Sequence, residues 1–206
     1  MRPLARLHAV TDAAIRALPD LGVRAAAIAA AGSAVALHAR DRSATAADLA
    51  ALADRFVTLT LPAEASTFVS GRPDIARAVG AQGVQLAAGD IASRDARAAF
   101  GDLWLGRSVH SLAEAEAAMA EGADYLLLGN VFATPSHPDR DPVGIEVVRA
   151  VSALGAPVIA IGGITVQHAR ELRDAGAYGI AAIRALWHAE DPARAALAFL
   201  DEWMDR

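Results

Sequence analysis

Two histidines stand where short apolar runs give way to polar loops, and histidine is the side chain best suited to moving a proton near neutral pH. His110 closes the stretch Arg107-Ser108-Val109-His110, which follows an apolar run at Leu103–Gly106. His137 lies in a long polar loop, Gly129–Gly144, that also carries Asn130, Thr134 and Ser136. Hydroxyls and an imidazole on such a loop suit a lid or a phosphate contact; the bland alternative is a polar loop without a ligand. For His110 the alternative is a helix-start residue that merely packs. Asn130 is the only asparagine of the chain. It cannot serve as an acid or base near pH 7, but it can hold a carboxylate or a ring nitrogen by hydrogen bonds.

A second set of residues suits anions. Arg40 and Arg42 flank Asp41, and paired guanidinium groups can grip an anionic ligand by bidentate contacts. The alternative is a surface ion-pair cluster. Ser108 can donate to a phosphate. Val158–Ile161 is a β-branched run without alternation, followed at once by Gly162-Gly163 and then by Thr165 as a helix N-cap. Glycines let backbone N–H groups come close to a phosphate, and a helix start adds its positive end. A tight turn without a ligand accounts for the same dipeptide. Arg184, placed on the last apolar run, either adds a cation to this phosphate site or shrinks the pocket.

Composition removes several chemistries. The sequence has no lysine, so its 19 basic residues other than histidine are all arginine. Schiff-base catalysis needs a lysine amine and is excluded. With no cysteine, thiol catalysis and disulfides are excluded too. The net charge of −5 and the lack of a basic run argue against nucleic acid as a partner. No His, Asp or Glu set has metal-ligand spacing, so no metal site is expected. No apolar stretch approaches the roughly 20 residues that span a bilayer, and no signal-peptide pattern opens the chain. A cytoplasmic protein without a membrane partner is the expectation.

These residues need a frame that brings strand ends together. Short apolar runs recur at Leu7–Val10, Ala34–Leu37, Thr67–Val69, Gly83–Leu86, Leu103–Gly106, Tyr125–Leu128, Val158–Ile161 and Gly179–Ile183. Helical patterns separate them, including Ile15–Ala31, a segment from Thr45 to about Arg55, and Asp191–Met204. Val57–Leu61 reads as either strand or helix. Eight strand–helix units in 206 residues predict a single-domain (β/α)8 TIM barrel over 1–206, with a doubly wound open sheet as the alternative. In a barrel the loops after the strands build the active site.

The strand ends also carry a resemblance. Leu7-His8-Ala9-Val10-Thr11-Asp12, Arg40-Asp41-Arg42, Ser70-Gly71-Arg72-Pro73-Asp74, Gly106-Arg107-Ser108-Val109-His110-Ser111, Asp124-Tyr125-Leu126-Leu127-Leu128-Gly129 and Ala160-Ile161-Gly162-Gly163-Ile164 occur in this order. The chain resembles the thiamine phosphate synthase/TenI superfamily along nearly its whole length. The fourth and fifth motifs look most like the TenI branch, the thiazole tautomerases. The resemblance implies a TIM barrel, a role in thiamine biosynthesis, a thiazole phosphate as ligand and a homo-oligomer.

The main expectation is a thiazole tautomerase, which would isomerise a carboxythiazole phosphate without any cofactor. Gly162, Gly163 and Arg184 would hold phosphate, Arg40 and Arg42 a second anionic group. Ser108, Thr134 and Ser136 would bind the ligand, and His110 or His137 would carry the proton. Asn130 stands where that branch has its histidine. Under a synthase reading the protein would join a pyrimidine diphosphate to a thiazole phosphate with loss of pyrophosphate, using Mg²⁺. The synthase pattern places an Asn-Asp pair where this chain has Ser70-Gly71, keeps Asp90, and has lysines at Arg42 and His137. A third reading is a binding or regulatory relative that lacks the chemistry.

Overall fold

The computed structural model describes residues 2–134 and 141–204. In chain order the elements are β1 (Leu7–Val10), α1 (Ala13–Arg16), α2 (Leu21–Ala29), β2 (Val35–Ala39), α3 (Ala46–Thr60), β3 (Ser66–Ser70) and α4 (Pro73–Val79). They continue with β4 (Gly83–Leu86), α5 (Ser93–Phe100), β5 (Trp104–Val109), α6 (Leu112–Ala120), β6 (Tyr125–Leu128) and α7 (Gly144–Ser152). The last are β7 (Val158–Ile161), α8 (Ala169–Asp174), β8 (Gly179–Ala182), α9 (Arg184–Trp187) and α10 (Pro192–Met204). All eight strands run parallel and close in sequence order, β8 pairing back to β1. This is the (β/α)8 barrel, and closure rules out the open doubly wound sheet.

The strands read as continuous apolar runs because both of their faces are covered. Every residue of β1, β2, β4, β6 and β8 is buried. The outward faces pack under the helices, where Phe56 of α3 stacks on Trp187 of α9 at 6.0 Å. The inward faces fill the barrel with His8, His38, Phe68 and Tyr125. Small residues make room for these rings. A Cβ at position 83 would lie 2.3 Å from Phe68 Cε1, and one at 106 would lie 2.2 Å from Tyr125 Cζ.

Local signals explain the helix starts. Asp12, Thr45 and Ser111 each accept the N–H three residues on, at Ile15, Asp48 and Glu114, which satisfies an otherwise orphaned donor. The Glu114 carboxylate accepts the His110 N–H rather than closing back on Ser111. Several placements differ from the sequence expectation. The helix predicted over Ile15–Ala31 is two helices, α1 and α2, with Pro19 between them, since proline cannot donate inside a helix. The ambiguous Val57–Leu61 completes α3, apart from Leu61 at its cap. Arg184 is not on strand eight; it is the first residue of the short helix that follows β8.

Candidate active site

One cavity of about 1440 Å³ opens where the strands end. His110, Asn130, Arg40, Arg42, Ser108, Thr134, Gly162, Gly163 and Arg184 all line it. Ser136 and His137 lie outside the described residues. Residues read separately along the sequence are therefore gathered at one mouth.

At the β1–β2 side, Thr11 fastens the backbone that carries Arg40. Its Oγ1 accepts the Arg40 N–H at 2.9 Å and donates to the Arg40 carbonyl at 2.8 Å. Asp41 does not pair with its flanking arginines. It turns inward and accepts from the Ser43 N–H (2.8 Å), the Ser43 hydroxyl (2.7 Å) and Arg16 Nε (2.5 Å). The Ser43 hydroxyl, with further help from Arg16, holds its carboxyl down to about 2. Among the described residues the Arg40 and Arg42 guanidinium groups have neither hydrogen-bond nor ion-pair partners. Arg40 is half-buried, and its pKa is lowered by burial first and by the Arg42 charge second. An arginine stays charged even so. Arg40 and Arg42 thus line the cavity as neighbouring cations, and Asp12 and Asp41 act on Arg40 without pairing with it.

The opposite pole is the end of β7 and β8. Gly162 and Gly163 have φ of +102° and +67°, conformations that L side chains rarely adopt. The strand-six loop also crosses them closely. A Cβ at 162 would lie 2.6 Å from Asn130 Cα, and one at 163 would lie 2.5 Å from the Ala133 carbonyl oxygen. The loop is stitched there by Val131 N–H to the Ile161 carbonyl and Phe132 N–H to the Gly162 carbonyl. The turn beyond is not a plain α-helix capped by Thr165. A 3-10 turn, Val166–His168, precedes α8, and the Thr165 N–H is already given to His168 Nδ1. Arg184 reaches across from α9 and donates to Thr134 Oγ1 at 3.1 Å.

Between the poles, Gln85 Nε2 donates to Ser108 Oγ at 3.0 Å and fixes that hydroxyl. Asn130 is buried. His110 is exposed at the rim, its Nδ1 bonded to the Gly129 carbonyl. The carbonyl can only accept, so the proton sits on Nδ1 and Nε2 is the free atom. Below them lies a feature that sequence reading missed. His8 Nε2 lies 3.0 Å from the Ala5 carbonyl and its Nδ1 lies 2.7 Å from His38 Nε2. The carbonyl fixes the His8 proton on Nε2, so His38 donates from its own Nε2. Burial lowers the His8 pKa to about 4 and lowers His38 well below its ordinary value, His8 and Arg40 adding to the latter. Both rings are neutral at pH 7.

Asp90 lines the cavity, and its Oδ2 accepts the Ala87 N–H at 2.7 Å. A Cβ at Gly71 would lie 3.3 Å from that same oxygen, so a side chain at 71 would face Asp90 directly. Glycine leaves Asp90 as a lone carboxylate with one oxygen engaged. Among the described residues no group of three His, Asp or Glu side chains could hold a metal ion. Among the described residues this end of the cavity offers a divalent ion a single carboxylate with one oxygen already engaged. No helix among the described residues is long and apolar enough to cross a membrane.

Comparison with known proteins gives consistent findings. The sequence pattern of the family described as thiamine monophosphate synthase matches residues 7–186. The thiamine-phosphate synthase of Salinispora arenicola is 40% identical over 205 residues, covering 98% of both chains. That of Mycolicibacterium gilvum is 45% identical over 130 residues, 62% of this chain and 55% of that protein, so the chain spans about half the length of this relative. A solved thiamine phosphate pyrophosphorylase from Pyrococcus furiosus superposes with a TM-score of 0.84 at 34% identity, covering 96% of this chain and 95% of that one. These relatives carry synthase or pyrophosphorylase names, and none supports the closer kinship with the tautomerase branch expected from the fourth and fifth motifs.

Proposed function

The chain belongs to the thiamine monophosphate synthase/TenI family, and from that premise we propose that it is a synthase joining a pyrimidine diphosphate to a thiazole phosphate. The observation that carries this reading is the pair of anion poles in one cavity. Arg40 and Arg42 stand at the end of β2; Gly162, Gly163 and Arg184 stand at the ends of β7 and β8. Since β8 and β2 both neighbour β1, the poles are two or three strand spacings apart, on the order of 10–14 Å. An isomerase needs room for one phosphorylated ring. The cavity of about 1440 Å³ exceeds the roughly 300–1,000 Å³ of a typical single-ligand pocket. Asn130 adds a weaker chemical argument: an amide cannot shuttle the proton that a tautomerase must move, which leaves that step to His110 or His137.

The reaction follows from the chemistry of the two ligands. The thiazole ring nitrogen attacks the methylene carbon that bears the diphosphate. A C–N bond forms, the C–O bond breaks, and the electron pair leaves with pyrophosphate. Negative charge develops on the departing diphosphate, so the largest gain comes from cations already in place there. Arg40, oriented by Thr11, and Arg42 fill that role. Gly162, Gly163 and Arg184 hold the thiazole phosphate, as barrels commonly do after strands seven and eight. Ser108, held by Gln85, and Thr134, held by Arg184, orient the two rings. His110 offers a free Nε2 at the rim.

Calorimetric titration of each substrate alone, in buffer containing Mg²⁺, tests the arrangement. Arg184→Ala should weaken the thiazole phosphate and leave the pyrimidine diphosphate nearly unchanged; Arg40→Ala should do the reverse. Loss of both ligands in both variants would mean a single anion pole and would overturn the two-substrate reading.

A further inference from the structure

The cavity carries its charge in an uneven way. Among the described residues three carboxylates line it, and each is engaged with the protein's own groups. Asp12 caps α1, Asp41 holds Ser43 and Arg16, and Asp90 holds the Ala87 N–H. Of the arginines, Arg72 forks onto Asp74 at 2.8 and 2.5 Å, and Arg184 bonds Thr134. Among the described residues Arg40 and Arg42 are left side by side with no bonded carboxylate, and Asp12 and Asp41 offset the Arg40 charge without pairing with it. Two adjacent guanidinium groups repel each other, and the half-burial of Arg40 strengthens that repulsion on its side. An anion with several oxygens, bound across both forks, removes the penalty.

The β3 end is built to match. A metal makes two facing carboxylates tolerable beside a diphosphate; without a metal the second would only repel it. Here position 71 is a glycine whose Cβ would sit 3.3 Å from Asp90 Oδ2, so that second charge is missing. We propose that Arg40 and Arg42 neutralise the diphosphate in place of a divalent ion, so that pyrophosphate binds to and leaves this site without a metal. This rests on the synthase reading for the identity of the leaving group and adds its cofactor requirement. The covalent step is unchanged, and the electron pair of the broken C–O bond departs on an anion held by guanidinium groups.

Inorganic pyrophosphate is the probe, titrated calorimetrically into the full chain in EDTA and in Mg²⁺. The unmutated protein should bind it in EDTA with an affinity within about threefold of that in Mg²⁺, a difference of at most about 0.7 kcal/mol. Arg42→Ala, at an exposed position that threatens no core, should weaken binding in EDTA roughly tenfold or more. Gly71→Asp adds the facing carboxylate at a φ of +72°, a region that aspartate tolerates better than most residues. It should lose binding in EDTA and recover it with Mg²⁺. Pyrophosphate binding by the unmutated protein only when Mg²⁺ is present would overturn the proposal, as would unchanged binding by Arg42→Ala in EDTA. If pyrophosphate binds as expected but the two substrates are never joined under any metal condition, the synthase reading fails and the metal-free anion site stands.

Discussion

Lowering the pH from 7 to 5 should destabilise the folded protein by about 2 kcal/mol through His8 alone. The reasoning starts from geometry. His8 is fully buried in the barrel, its Nε2–H committed to the Ala5 carbonyl and its Nδ1 accepting from His38. A proton on Nδ1 would have to displace the His38 donor and bring a charge among Phe68 and Tyr125. The folded pKa of about 4 lies below the ordinary 6.5. Between those values the unfolded chain binds more protons than the folded one, so stability rises with pH across that window. It is fully present above pH 6.5 and is lost as the pH falls toward 4. At pH 5 about 1.5 pH units of the window have been crossed, at about 1.4 kcal/mol per unit. His38 is shifted in the same direction and adds to the loss. Asp41 does not confuse the measurement. Its pKa is lowered from 3.8 to about 2, so its contribution is present above 3.8 and is lost only as the pH falls below that. Urea unfolding followed by circular dichroism at pH 7, 6 and 5 reads the effect. The double variant His8→Leu/His38→Leu should show a much flatter dependence over that range. Equal pH slopes in the variant and the unmutated protein would refute the argument.

Two further substitutions separate binding from structure. Arg40→Ala should weaken the pyrimidine diphosphate by about 1.5–3 kcal/mol, the worth of a charged hydrogen bond, with an unchanged unfolding midpoint; unaltered affinity by calorimetry would remove Arg40 from the site. Gly163→Ala places a Cβ 2.5 Å from the Ala133 carbonyl oxygen at a φ of +67°. It should cost at least about 1–2 kcal/mol from the left-handed backbone alone, a fall of roughly 2–8 °C in Tm. A melting curve identical to that of the unmutated protein would show that the strand-six loop does not press on this turn.

The sequence made the barrel legible because its strands are buried on both faces. Runs such as Tyr125–Leu128 and Val158–Ile161 have no alternation to confuse with an exposed sheet. Boundaries failed where polar residues take part in a strand. β5 runs on to Val109 through Arg107 and Ser108, past the expected end at Gly106. The site was legible to the extent that strand ends converge in any barrel, which is why Arg40, Ser108, Asn130 and Gly162 meet. Pairings between distant segments were not legible. Asp41 looks in sequence like the partner of Arg40 and Arg42, yet it bonds Arg16, 25 positions away. His8 and His38 lie 30 positions apart, and their contact depends on β1–β2 register, which pairs His8 with Ala36 and Val10 with His38. Only that register turns two scattered histidines into a buried pair.

The central claim is that this cavity joins two substrates. ³¹P NMR of the protein with the pyrimidine diphosphate and the thiazole phosphate, in Mg²⁺ buffer, tests it most directly. The account predicts that the diphosphate signals decay while a pyrophosphate signal grows, one pyrophosphate for each joined product, and only when both substrates are present. Unchanged diphosphate signals, with conversion of a carboxythiazole phosphate to its aromatic isomer in a parallel sample, would contradict the synthase reading and return the protein to the tautomerase branch.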